Sequence, residues 1–221
     1  FVDVFQNVGV LDLSNVLTYQ DASTVTYQNA LVSEAHTFSP HLLNNFIISY
    51  QREGSIRGPL PSAFSIGDLG SKIWQPADKS VQTFSVSGYF SFGDNPHGTF
   101  KRSNVTLADD LHWVKANHSF AFGFHGELSR VDVINENGQP GQFSFNATNT
   151  NNALASFFLG YLNSFKQTSG QYQANRAKYT GVYAQDIWKI SSRLTLDYGL
   201  RYEPYIPIHE AAGRMAQFNP A

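Results

Sequence analysis

The sequence contains no cysteine, carries little charge and has no long apolar run. Without cysteine the chain can form neither a disulfide framework nor a cysteine metal site. A membrane-spanning helix needs about 18 or more consecutive apolar residues, and the densest apolar stretch, FFLGYL at 157–162, is far shorter. A helical membrane protein is therefore excluded.

Signals of catalysis and of nucleic-acid binding are also missing. The net charge is only −2 and no basic patch occurs, so nothing indicates a nucleic-acid partner. There is no phosphate-binding loop, zinc-protease motif or serine-hydrolase motif. His112, His118 and His125 have no carboxylate at ligand spacing. We therefore expect them to be solvated, either in a turn or in the lumen of a barrel, rather than to bind a metal. We predict no enzyme activity, no cofactor and no metal site.

Aromatic residues, in contrast, are as frequent as charged ones, at 14% each. This balance suits a surface that meets something other than water, although a tightly packed β protein would also carry it.

The clearest strand signal lies at residues 194–203, where apolar and polar side chains alternate with a period of two. About ten residues is the length of a transmembrane β-strand, but a half-buried strand of a soluble sandwich would show the same alternation. On the preceding strand we expect Trp188 in an aromatic girdle near the short turn, with an ordinary core position as the alternative.

A second hairpin is predicted around the link KANH at 115–118. If Val114 opposes Ser119, then Trp113 opposes Phe120 and the apolar faces of the two strands coincide. Asp109 interrupts that apolar face. The opposite face is too polar for a dry core.

Short and long connections alternate along the chain. Short links are predicted at 39–41, 115–118 and 189–193, and long ones at 53–97 and 133–178. Outer-membrane barrels have short turns at one end and long loops at the other. The asymmetry therefore favours an antiparallel up-and-down transmembrane β-barrel segment with long extracellular loops over a soluble sandwich.

Both long connections contain candidate regular structure. In the first, the even-numbered positions include Phe84, Val86, Phe90 and Phe92, whose side chains would share one face of a strand. This pattern predicts a strand through the stretch. In the second, the apolar segment at 153–161 fits no simple period and predicts a short helix.

Three segments resemble the β-barrel of TonB-dependent outer-membrane receptors, particularly the Oar-like receptors that carry a carboxypeptidase-regulatory-like domain. They are HTFSPHLLNNFIISYQR at 36–52, LADDLHWVKANHSFAFGFHGELSR at 107–130 and YAQDIWKISSRLTLDYGLRYE at 183–203. They cover a little over a quarter of the chain in the order that the family uses. The combination of YAQD-W with LTL-GLRYE is fairly specific.

The resemblance implies an all-β fold, a plugged barrel of about 22 strands, of which residues 1–221 would supply about six or seven. It also implies a bacterial outer-membrane location and energised uptake. No plug, TonB box or signal peptide is recognisable in residues 1–221, so we expect an internal barrel fragment. Contact with the TonB complex would then be made through N-terminal parts absent from these residues.

This interpretation predicts two sets of functional residues. The loops would capture a small ligand such as a siderophore, an oligosaccharide or a peptide, and the contact candidates are Trp74, Phe84, Tyr89, Phe90 and Phe92, with packing inside the loop as the alternative. The residues expected to face outer-membrane lipid are Leu107, Leu111, Trp113, Phe120, Phe122, Phe124, Leu194, Leu196, Tyr198, Leu200 and Tyr202. Two other functions stay open: a passive porin or adhesin barrel, and a soluble β-sandwich carbohydrate-binding module.

Overall fold

The structure is a computed structural model that describes residues 2–8, 21–59, 64–80, 82–93 and 96–216. These residues form strands and one short helix. In chain order the elements are β1 (Val2–Val8), β2 (Asp21–Ser39), β3 (Leu42–Pro59), β4 (Thr83–Val86), β5 (Phe90–Phe92), β6 (Gly98–Lys115), β7 (His118–Asn135), β8 (Gln142–Phe145), α1 (Ala153–Leu159), β9 (Ser164–Lys166), β10 (Gln171–Ser191), β11 (Leu194–Tyr202) and β12 (His209–Glu210).

The long strands form one antiparallel sheet of eight strands in the order β1-β2-β3-β6-β7-β10-β11, and β12 pairs with β10. Each strand in this path lies beside the long strand that comes next in sequence, so the sheet is an up-and-down meander. The sheet is not closed, because β1 and β11 lie at its two edges. The predicted all-β, antiparallel architecture is confirmed.

Short turns and long connections lie at opposite ends of this sheet. The turns are at 40–41, 116–117 and 192–193, as predicted, and the long connections are at 60–97 and 136–170. The connections are shorter than the predicted 53–97 and 133–178, because β3, β7 and β10 extend beyond the residues whose apolar and polar side chains alternate. Polar residues occupy both faces there, so alternation in the sequence no longer distinguishes strand from loop.

The two long connections together build a second sheet of four strands in the order β5-β4-β8-β9. Its centre is a parallel pair between β4 from the first connection and β8 from the second. The single strand predicted through Phe84 and Phe92 was wrong, since the chain reverses at 87–89 and Phe84 pairs with Phe92 in a hairpin. Gly88 lies in that turn with a φ of 79°, which favours glycine.

The predicted short helix is present as α1 and has a cap at each end. The Asn152 side-chain oxygen accepts hydrogen bonds from the backbone N–H groups of Leu154 at 2.9 Å and Ala155 at 3.2 Å. Gly160 ends the helix in the left-handed conformation, with a φ of 74°. The helix is too short to cross a membrane, and no helix in the described ranges could do so.

Among the described residues, the buried apolar core lies in the small sheet and its helix. It consists of Val86, Phe143, Phe145 and Ala153. In the described part of the large sheet, no apolar side chain is fully buried. The large sheet therefore keeps both faces open, and each face is a candidate functional surface.

Candidate functional site

One face of the large sheet, called here the apolar face, carries every residue predicted to meet lipid. The register pairs Val114 with Ser119, Trp113 with Phe120 and Leu111 with Phe122, as predicted. The same face continues onto β10 and β11, where Trp188 opposes Leu196. All eleven predicted positions share it: Leu107, Leu111, Trp113, Phe120, Phe122, Phe124, Leu194, Leu196, Tyr198, Leu200 and Tyr202.

The apolar face is uncovered. The Phe122 side chain in the middle of the sheet is 40% exposed, and Leu200 on the edge strand is 77% exposed. Within the described ranges, no strand or helix of the small sheet packs on a strand of the large one. In the part of the chain that the structure describes, the apolar face thus lacks the second layer that a β-sandwich requires.

A hydrogen-bonded polar pair interrupts the apolar face near its centre. The Asn44 side-chain amide donates to the Asp109 carboxylate at 2.8 Å, and both side chains are partly buried. Asp109 lies between Phe46 on one neighbouring strand and Phe124 on the other. Sequence reasoning noted Asp109 only as an interruption. Asn44 interrupts the apolar face of the neighbouring strand in the same way, and this second interruption is the sequence signal that could have predicted the pair.

Aromatic rings form a stacked series on the apolar face at the turn end. His118 lies between Trp188 and Phe120, with ring centroids 5.2 Å and 5.4 Å apart, and Phe120 contacts Trp113 at 5.4 Å. Trp188 is 36% exposed. The position beside the short turns is the one predicted for a girdle tryptophan. His118 is thus beside a turn, but it belongs to the apolar face and not to the lumen.

The buried Asp186 carboxylate lies next to these rings. Its Oδ2 atom accepts hydrogen bonds from the Tyr198 hydroxyl at 2.8 Å and from His118 Nδ1 at 2.7 Å. Asp186 is 5% exposed, so these two donors compensate the loss of solvent around a charged group. No local pattern in the sequence predicts that His118 and Asp186 meet, since 68 positions separate them.

The opposite face, called here the polar face, carries two hydrogen-bonded networks. In the first, the Tyr183 hydroxyl donates to Asp110 at 2.7 Å. In the second, the Tyr179 hydroxyl donates to Glu203 at 2.7 Å and accepts from Arg201 at 2.9 Å, while Arg201 also pairs with Glu203. These contacts join β6, β10 and the end of β11 across the polar face.

The three histidines weighed as metal ligands do not meet. In the described part of the chain, no group of three histidine, cysteine, aspartate or glutamate side chains is arranged to hold a metal ion. His125 packs edge-on against Tyr179 on the polar face, with centroids 5.3 Å apart.

A groove of about 680 Å³ lies where the two long connections meet the large sheet. The Gln167 amide ties the connections together by donating to the backbone oxygens of Trp74 at 2.9 Å and Gln139 at 2.8 Å. The buried Gln139 amide in turn donates to the Tyr172 hydroxyl at 2.9 Å. Aromatic rings and amides therefore line the same groove, which also includes Glu136.

The Glu136 carboxyl in this groove has a raised pKa. Burial is the main cause, the nearby Asp78 carboxylate adds to the effect, and His97 opposes it. The Glu136 backbone N–H donates to the His97 carbonyl at 2.9 Å, which fixes the end of β7 against the first connection.

The structure separates the five predicted ligand-contact residues. Trp74 is 60% exposed and lines the groove, whereas Tyr89 is 52% exposed and donates a hydrogen bond to Asn152. Phe84 stacks on Phe92 and on Phe143 in the small core, and Phe90 packs against Phe157. The three phenylalanines thus have the loop-packing role that the sequence left as the alternative.

An open antiparallel meander with one apolar face, short turns at one end and long loops at the other is the architecture of an outer-membrane β-barrel wall. The profile of the outer membrane beta barrel domain family matches residues 3–221. The chain belongs to this family, and its location is the bacterial outer membrane. Comparisons with curated proteins and with solved structures gave no significant match.

Proposed function

We propose that the chain forms part of the wall of a TonB-dependent receptor, with its apolar face toward lipid and its polar face toward the lumen. The observation that carries this proposal is that the two long connections fold into one domain at the same end of the sheet. A folded loop domain with its own core suits a receptor that captures a ligand before uptake. A porin that only admits solutes has no need of such a domain.

The orientation of the sheet follows from solvation. An uncovered apolar face of this size would promote aggregation in water, whereas hydrocarbon solvates it. Backbone groups within the sheet are paired along the strands, as a spanning structure requires. The polar networks of Asp110, Tyr183 and Arg201 are suited to a water-filled lumen.

The loop groove is the proposed place of ligand capture. Trp74 and Tyr172 supply exposed aromatic surface, and Gln139 and Gln167 supply amides. Ligand sites commonly combine apolar walls with a few fixed polar groups. The ligand class therefore has both apolar surface and hydrogen-bonding groups, as siderophores, oligosaccharides and peptides do.

Liposome swelling with the full-length protein separates a gated receptor from the passive porin alternative. A plugged receptor should give no swelling in isotonic solutions of small sugars, while a general porin from the same outer membrane, reconstituted in parallel, should give rapid swelling. Co-purification of the full-length protein with the periplasmic domain of TonB provides the positive test. Sugar permeation together with no TonB association would overturn the receptor assignment.

A further inference from the structure

A row of cationic side chains lies on the apolar face just beyond its apolar residues, toward the long loops. Arg52 on β3 and Arg130 on β7 both pair with Ser103, which lies on the strand between them. The next row of paired residues on this face, toward the short turns, contains Tyr50, Val105 and Leu128. Lys101 lies one row further out, and Lys178 is opposite Leu128 on β10. On β3 and β7 a long cation thus directly follows the apolar run, and on β6 and β10 one small polar residue, Ser103 or Thr180, lies between the run and the cation.

These cations are exposed and are not neutralised by nearby acids. In the described part of the chain, Arg52, Lys101, Arg130 and Lys178 have no hydrogen bond or ion pair through their side chains. Asp132 lies directly opposite Lys101 in the register, but its carboxylate pairs with Arg176 at 2.7 Å. Other acids at this level, such as Glu53 and Glu127, point to the polar face, where Glu53 pairs with Arg102.

A small hollow lies beside the outermost cations. It has a volume of about 230 Å³ and lies over Gly54, which has no atom within 4 Å of the position that a Cβ would take. Its walls include Arg52, Lys101, Thr26, Thr99 and Gln28. Two cations, two hydroxyls and an amide are groups that bind phosphate oxygens.

An apolar groove begins directly beneath the row. It has a volume of about 440 Å³ and includes Gly126 in its lining, where the Phe124 ring lies so close over the glycine that a Cβ would be 2.9 Å from it. Its walls are mainly Ile48, Val105, Leu107, Phe124, Leu128 and Ile206, with Lys178 at the rim. A groove of this shape accepts a hydrocarbon chain.

We propose that this part of the apolar face is a binding site for a phosphorylated lipid of the outer leaflet. The lipid phosphate is bound by Arg52, Lys101 and Arg130, and one acyl chain lies in the groove at Gly126. The proposal rests on the apolar face meeting lipid, which is part of the proposed function, but it does not depend on TonB coupling or on a plug.

Two features favour a lipid over a soluble anion or a partner protein. The cations follow the upper edge of the apolar residues, so a ligand held there has its charged part at the membrane surface and its remainder in hydrocarbon. The long loops mark the extracellular side, and so the site lies in the outer leaflet. A soluble anion would gain nothing from the groove at Gly126.

Binding of radiolabelled bisphosphorylated lipid A to the full-length protein in detergent micelles tests the site. Three probes accompany it: lipid A without phosphates, the deacylated bisphosphorylated disaccharide, and inorganic phosphate. We expect the intact lipid to bind far more tightly than all three, and its affinity to fall with ionic strength. Equal binding of the phosphate-free lipid, or of the deacylated headgroup, would overturn the proposal.

Variants identify the residues involved. The double variant Arg52→Gln with Arg130→Gln should weaken lipid A binding about thirtyfold, whereas Lys189→Gln with Arg193→Gln, at the turn end, should leave it unchanged. Gly126→Leu should weaken intact lipid A but not the deacylated headgroup. Equal losses in the two double variants would contradict the site.

Folding of each variant is checked by its heat-modifiable mobility on gels. If Gly126→Leu fails to fold, the comparison of acylated and deacylated probes on the unaltered protein decides the acyl-chain part. A protein that binds lipid A as expected, but swells liposomes and does not associate with TonB, refutes the receptor assignment and leaves the lipid site standing.

Discussion

The Tyr183 hydroxyl donates a hydrogen bond to the Asp110 carboxylate at 2.7 Å across an intervening strand. The strand between them has Gly123 at the position that pairs with both residues. A Cβ on Gly123 would lie 2.0 Å from the Tyr183 ring and 2.5 Å from the Asp110 carboxylate. The tyrosine reaches the aspartate only because this glycine has no side chain.

Gly123→Ala should therefore destabilise the protein by about 1–3 kcal/mol, because the ring must leave its position and Asp110 loses a donor. The free energy of unfolding in urea, measured on protein refolded into lipid vesicles, reports the change. Gly54→Ala is the matched control, since no atom lies within 4 Å of its Cβ position. Equal effects of the two substitutions would mean that the tyrosine does not span Gly123.

The polar pair on the apolar face gives a second prediction. Asn44→Ala removes the only side-chain hydrogen-bond donor to Asp109 among the described residues, so it should lower the free energy of unfolding by about 1–3 kcal/mol. Replacing both residues, Asn44→Leu with Asp109→Leu, should restore or exceed the original stability in lipid vesicles, because no unpaired carboxylate remains. A double variant as unstable as Asn44→Ala would indicate that the pair has a different role.

The loop groove should respond to pH through Glu136. Its pKa is raised above the usual 4.5 by burial and by Asp78, so the folded loops bind the proton more tightly than the unfolded chain does. The stability that protonated Glu136 contributes is complete below pH 4.5 and is lost as the pH rises through the raised pKa.

Glu136→Gln should accordingly match the unaltered protein at low pH and be more stable than it at neutral pH. Calorimetry on the two proteins at several pH values measures the difference, and an NMR titration of the Glu136 carboxyl gives its midpoint. A midpoint at or below 4.5 would contradict the expected direction.

Charge substitutions distinguish the two faces of β7. Phe122→Arg on the apolar face should destabilise the protein in lipid vesicles by about 2–4 kcal/mol if it lies near the bilayer centre. Ser119→Arg on the polar face, where the side chain is exposed, should change the stability little. The free energy of unfolding in vesicles is again the measurement, and comparable losses in both variants would refute the assignment of the faces.

The large sheet could be predicted because most of its length has one apolar face and one polar face. Alternation located the hairpins, and pairing Trp113 with Phe120 predicted the register of the hairpin at 115–118 correctly. Alternation does not identify a strand where both faces are polar, and for this reason the end of β3 and the beginning of β10 were predicted as loops. It also missed β1, which pairs with β2 at Val4 and Gln28. The sequence also indicates a strand end at 16–19, which lies outside the described residues.

The small sheet could not be predicted from local patterns. Its central pairing joins Val86 to Phe145 from a different connection, and no periodic signal in either segment specifies that partner. The phenylalanines at 84, 90 and 92 therefore resembled exposed ligand contacts in the sequence. Phe84 instead packs against β8 and Phe90 against α1, and Phe92 stacks on both of these phenylalanines. Of the predicted contacts, only Trp74 lines the loop groove.

The central claim is that the apolar face meets lipid and the polar face meets water. Because the chain has no cysteine, single cysteines along β11 can be spin-labelled in the full-length protein in lipid vesicles without background. Labels at Leu196, Tyr198 and Leu200 should be accessible to oxygen dissolved in the bilayer, and labels at Thr195, Asp197 and Arg201 to a water-soluble nickel complex. If the first three positions were shielded from both reagents, the apolar face would be covered by protein, and a lipid-facing wall would be contradicted.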